Sequence, residues 1–185
     1  MTYVKTQNNI EEIIHSTVHS VNMTMEVYKD NSGINMSYNF IGNYIGVDLN
    51  RLFIAIEEMP YPLTMELYVK ILTIHELGHA MDRVALMNTL ERTKEIFHMK
   101  RNHSIKEIYN NLEMLSMILE EHEMNLVFEE TAWTNAETLN EAYKIVNPVY
   151  LEIVKKHSMS TYINSYEADL SIYNSLMEET NEQIA

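Results

Sequence analysis

The chain has no cysteine. Disulfides, thiolate metal ligands and a cysteine nucleophile are therefore excluded, and the absence accords with a reducing cytoplasm. Glycine and proline are scarce, with four and three in 185 residues, so few positions force the backbone out of regular structure. No apolar run approaches the roughly 18 residues of a membrane span. The stretch from Met1 to Glu12 is polar and lacks the apolar segment of a secretory leader. Basic residues are few: 13 Lys and Arg stand against 27 Asp and Glu, a formal net charge of −14. Phosphate contacts need a basic surface, so nucleic acid is not the expected partner. The expectation is a cytoplasmic protein with no membrane contact, its acidity serving solubility. Hydrophobic residues make up 46% of the chain, enough for the core of a single domain over residues 1–185. Fourteen Met and twelve Tyr point to an adaptable core.

The periodicity divides the chain. From Asn8 to Val21, Ile10, Ile13, Ile14, Val18 and Val21 recur at helical spacing. Met25 to Lys29 reads as a short strand, with a turn at Asp30-Asn31-Ser32-Gly33. Ile34, Met36, Tyr38 and Phe40 then alternate with polar residues, as do Ile45, Val47 and Leu49, which is the period of half-buried strands. Gly42-Asn43 between them fits a two-residue type II′ hairpin turn. Residues 23–50 thus predict a small antiparallel meander. Pro60 and Pro62 mark a loop, and Thr64 to Asp82 predicts a helix. Further helices are expected over 84–101, 104–122 with Ser104 as N-cap, and 123–145, stopping before Asn147-Pro148. Residues 149–180 read as one or two more, with a possible restart at Ser158 to Thr161. Helix, small sheet, then helices is an α+β order.

Within the 64–82 helix lies His75-Glu76-Leu77-Gly78-His79, an H-E-x-x-H motif. Histidines four apart share one helix face and can reach one metal ion. Glu76 points about 100° further round. There it can take a proton from water and pass it to a leaving amine without binding the metal. Leu72, His75, His79 and Asp82 share one face, while Ile71, Ile74, Leu77 and Met81 form an apolar stripe. A zinc helix needs that division between cleft and core. Gly78 weakens a helix by about 1 kcal/mol relative to Ala, so its presence suggests another backbone, or a substrate, close by. The competing interpretation is an amphipathic helix with two incidental histidines.

A catalytic zinc site has three protein ligands and an open position. Asp82 and Ala85 stand where the metzincin extension requires Gly and His, so a glutamate from a later helix is the remaining common choice. Glu129 is the leading candidate. Ala132 and Ala136, three and seven residues on, share its face and would let two helices approach closely. Glu130 is the runner-up, one residue of rotation away. Glu120, Glu121 and Glu123 sit in a charge run that fits a solvated face.

A zinc helix followed by a later E-x-x-A helix with a further Ala one turn on resembles the ImmA/IrrE group of gluzincin-type metallopeptidases. His75, Glu76, His79, Glu129, Ala132 and Ala136 carry the resemblance, over roughly residues 8–140. Trp133 stands where Asn or Asp is usual in that group, and Asn135 where an aromatic is usual. About fifty residues separate the two motifs. The resemblance implies a minimal zincin-like fold, a Zn2+ cofactor and a peptidase acting on an intracellular protein, such as a regulator or repressor.

Other residues invite weaker readings. His15 and His19 are four apart but lack a third ligand at suitable spacing. Asp82 could orient a metal-bound histidine or be plain surface charge. Tyr162, Tyr166 and His157 are candidate oxyanion donors, each more often a packing residue. Arg83, Arg92, Lys94, Lys100, Arg101 and Lys106 form a local basic stretch, read as a solvated helix. Two functions remain: a zinc peptidase, which could bind substrate along an edge of the 34–50 hairpin, and a non-catalytic binding or inhibitory protein on a zincin scaffold. An intact Glu76 favours the first, because a binder needs no general base.

Overall fold

The computed structural model describes residues 2–184, with side chains described from Asn9 to Thr180. The protein is α+β. It comprises α1 (Thr2–Ser20), β1 (Glu26–Lys29), β2 (Met36–Asn39), β3 (Tyr44–Val47), α2 (Leu49–Glu57), α3 (Met65–Met81), α4 (Arg83–Asn88), α5 (Leu90–Asn102), α6 (Ile105–Ile108), α7 (Leu112–Tyr143) and α8 (Pro148–Ile184). It forms two compact units. The first holds the chain up to Val84 together with Glu130–His157, and the second holds Ala85–Glu129 together with the chain from Ser158. Both boundaries after Val84 fall inside continuous helices, α7 and α8.

In the first unit, α1 buries Ile10, Ile14 and Val18 at helical spacing and packs against α3, and Val21 is buried just beyond its end. Asn22 ends the helix in the left-handed region at φ 57°. Its N–H donates to His19 O, and that of Met23 reaches back to Val18 O, which is a Schellman closure with Asn in place of Gly.

The sheet is mixed, not the antiparallel meander expected from alternation. Its order is β1-β3-β2, with β1 parallel to β3 and β2 antiparallel to it. The physical reason lies in burial. In β3, Ile45 and Val47 are fully buried, whereas β1 is mostly exposed, so the most apolar strand takes the centre, where both its edges are paired. The 30–35 connection is too long for a tight turn and passes around the end of β3. There Asp30 N–H donates to Val47 O and Asp48 N–H to Asn35 O. The hairpin loop also differs from a type II′ turn. It has four residues, since Asn39 pairs with Tyr44, and the positive φ falls on Asn43 and not on Gly42.

Helix α2 takes in Leu49, which the alternation assigns to a strand. Its start is set by Asp48, whose Oδ1 accepts from Asn50 N and Arg51 N at 3.1 Å each, while Oδ2 accepts from Gly33 N at 3.0 Å. One carboxylate thus caps a helix and ties down the crossover loop. Hydrogen bonds from the Arg51 and then the Gly33 backbone hold its carboxyl below the usual 3.8. A pKa lowered by folding contributes stability that is complete above the unfolded value and lost as pH falls through the folded one. The urea midpoint of Asp48→Asn should therefore lie below wild type at neutral pH, with the gap closing below about pH 4. A gap that persists unchanged to about pH 2 would count against this role for the charge.

The later helices also depart from expectation. The 84–101 segment breaks at Thr89, whose hydroxyl bonds back to Leu86 O at 2.9 Å. Ser104 caps α6 in a reciprocal capping box with Glu107, but the helix stops at Ile108. Asn111 Oδ1 then accepts from Met114 N and starts α7, which runs unbroken through 122–123. Residues 149–180 lie in one helix without a restart at Ser158. No Gly or Pro occurs between Gly78 and Pro148, so nothing in the backbone chemistry interrupts α7. At its end, buried Asn140 clamps the turn into α8. Its Nδ2 donates to Val146 O at 3.1 Å, and its Oδ1 accepts from Val146 N at 2.9 Å.

In the second unit, Ile108, Leu115 and Ile118 form a small core flanked by Met99, Tyr109, Met114 and Tyr173. Asp169 bridges Tyr109 Oη at 2.7 Å and His122 Nε2 at 2.8 Å. Burial and the Asp169 carboxylate push the Tyr109 hydroxyl up to about 12.

Candidate metal centre

Helix α3 begins at Thr64, whose hydroxyl accepts from Leu67 N. From Tyr68 to Gly78 it is buried on all sides apart from Lys70. It is thus a central helix and not the half-exposed one its pattern suggested. Ile71, Ile74 and Leu77 are in the core as expected, but Met81 is exposed. The stripe ends where the helix leaves the core, and Asp82 serves as C-cap.

The backbone close to Gly78 is that of α7. A Cβ built on Gly78 would overlap Ala132 O, with Ala132 C at 2.9 Å and Cα at 3.2 Å. Asn135 Nδ2 donates to Gly78 O at 3.0 Å, which fixes the register of the crossing. Ala132, Trp133 and Ala136 are all fully buried there. Gly on one helix and Ala on the other bring the two backbones into contact.

One turn before Ala132, α7 carries Glu129. It is buried, whereas Glu130 is exposed, so the helix rotation turns Glu129 inward. His75, His79 and Glu129 each offer a ligand atom, and these atoms lie within 4.8 Å of one another. The His75 and His79 rings meet edge to face, with centroids 4.7 Å apart. Glu76 is 4% exposed, next to His75 in sequence. A tetrahedral ion with bonds of about 2.0–2.1 Å holds its donors ~3.3 Å apart, so closing this group onto an ion requires shifts of no more than about 1.5 Å. Two imidazoles and one carboxylate suit a divalent transition ion. An ion there would also offset the cost of burying Glu76 and Glu129.

Of the other sequence candidates, Asp82 is the C-cap of α3. His15 and His19 are exposed on α1. Tyr166 Oη donates to Glu123 at 3.1 Å. Glu120 pairs with Arg92, and Glu121 with Lys100. Lys94 pairs with Glu91, so Arg92, Lys94 and Lys100 each have a carboxylate partner, while Arg83 Nε donates to Phe40 O at 2.8 Å. Two residues prominent at the site were noticed in the sequence only as departures from a pattern. Asn135 holds the helix crossing, and Trp133 stacks on His75 with centroids 4.1 Å apart and planes 24° apart. Their spacing from Glu129 was the available signal, since Trp133 is four residues on and shares its face. Comparison with protein-family models, curated proteins and solved structures finds no match.

Proposed function

We propose that this protein is a zinc-dependent peptidase of the gluzincin type, with His75, His79 and Glu129 holding the ion and Glu76 acting as general base. One observation carries the proposal. Glu129 lies fifty residues beyond the H-E-x-x-H motif, yet its ligand atom falls within 4.8 Å of those of both histidines. Zinc bound there would supply Lewis acidity, making water nucleophilic near neutral pH. Glu76 would accept the proton of the attacking water and return it to the nitrogen of the departing amine. The imidazoles of His75 and His79 would hold the ion as neutral donors and Glu129 as the anionic one.

A peptide substrate would run along a sheet edge as an added strand. Of the hairpin strands, β3 is central and β2 lies outermost. β2 packs beside α3, with Met36 Sδ 3.9 Å from Thr73 Oγ1, so β2 is the edge that supports this binding mode. The resemblance to the ImmA/IrrE group favours a zincin-like fold and a protein regulator as substrate in the cytoplasm. Within the described residues, no helix is long and apolar enough to cross a membrane.

Metal analysis tests the reading. The purified protein should hold about one zinc per chain, removable by chelator. His75→Ala and His79→Ala should lose it. Glu129→Ala should weaken binding by about 100-fold or more, beyond the usual effect of removing a residue that merely supports a ligand. Glu130→Ala, at an exposed position, should bind as wild type does. Full zinc occupancy in both histidine variants would end the assignment.

A further inference from the structure

We infer that Trp133 is a positioning residue for His75, its indole face fixing the plane of that imidazole within the metal centre. The inference rests on the metal-site reading above. The two rings stack, with centroids 4.1 Å apart and an interplanar angle of 24°. On another side, His79 meets His75 edge to face at 4.7 Å. His75 is therefore restrained both in tilt and in rotation about its terminal torsion, which is otherwise soft. Trp133 and Glu129 lie four residues apart on one face of α7, so a single helix delivers both the carboxylate and the plate that orients the imidazole it must meet. Ala132 against Gly78 and Asn135 on Gly78 O set the depth and register of that delivery.

Mere core filling explains the position less well. Trp133 is fully buried, and its Nε1–H has no hydrogen-bond acceptor among the described residues. A buried donor left unsatisfied is unfavourable, and Phe or Leu would not carry that cost. What the indole offers in return is the broadest flat face of any side chain. A metal ligand benefits from that face because affinity depends on how well its ring is held before the ion arrives.

The test compares Trp133→Leu with Trp133→Phe in the full chain by zinc titration against a competing chromogenic chelator. Urea unfolding should show that each variant folds. The Leu variant, apolar but without a flat face, should bind zinc about 10- to 100-fold more weakly than wild type. The Phe variant should recover most of that loss. Wild-type affinity in a folded Leu variant would overturn the proposal, and so would a folded Phe variant as weak as Leu. Trp133 is the sole tryptophan, so a second measurement needs no Trp variant. Stoichiometric Co2+, a paramagnetic quencher, should quench wild-type tryptophan emission, and His75→Ala should abolish the effect. Co2+ bound at one per chain without quenching would overturn the stacking role. Failure of the wild type to bind either ion would sink the metal-site reading itself, in an arm independent of the variants.

Discussion

Gly78→Ala is expected to destabilise the folded protein by about 2 kcal/mol or more, although Ala is the better helix former. On an open helix face the substitution would stabilise by about 1 kcal/mol. Here the new methyl would meet Ala132 O, C and Cα, all backbone atoms of the facing helix. No side chain can rotate away to make room. The strain is relieved only by moving α7 off α3, which separates the fully buried Ala132, Trp133 and Ala136 from their partners and loosens the Asn135 to Gly78 hydrogen bond. Overpacking of a rigid core typically costs about 1–3 kcal/mol, and a backbone-to-backbone clash belongs at the upper end, so it outweighs the gain in propensity. The urea midpoint measures this directly. An equal or raised midpoint would show that the two helices give way easily. Zinc affinity should fall together with stability, because Glu129 rides on the helix that is displaced.

Glu76→Gln is expected to retain fold and zinc while losing hydrolysis by about 100-fold to 10,000-fold. The amide keeps the size of a side chain that is only 4% exposed but cannot accept the proton of the attacking water. His75, His79 and Glu129 are untouched, so metal content should stay at the wild-type level. Turnover of an unstructured, fluorescently labelled protein such as casein is a suitable assay, with chelator-treated wild type as the blank. Activity undiminished in Glu76→Gln would remove the general base from the mechanism. A wild type that binds zinc yet never cleaves would favour a binding or inhibitory protein on the same scaffold.

Several features were readable without coordinates because they depend on neighbours close in sequence. The buried face of α1 follows from the spacing of Ile10, Ile14 and Val18. The β2–β3 hairpin follows from alternation, and the cap at Ser104 from the preference for serine at that position. The breaks at Thr89 and at Asn110-Asn111 were missed. They depend on side chains bonding back to the backbone, which competes with a helix only weakly in the pattern of apolar residues. Helix α2 was missed because Leu49 satisfied a strand alternation and a helical face at once, and Asp48 decided between them.

The sequence alone determined the residue types and their local phase. Two histidines lie on one face of α3 with a carboxylate between them, and a second helix carries Glu129, Ala132 and Ala136 along one side. It also excluded thiolate ligands, since there is no cysteine. Tertiary structure decided which helix meets which and at what rotation. It set β3 between β1 and β2, turned Glu129 inward and Glu130 outward, and laid Trp133 on His75. The reason is that periodicity reports only the angle of a residue about its own axis. Contacts across more than fifty residues depend on how closely two backbones can approach, and here that distance is set where Gly78 meets Ala132.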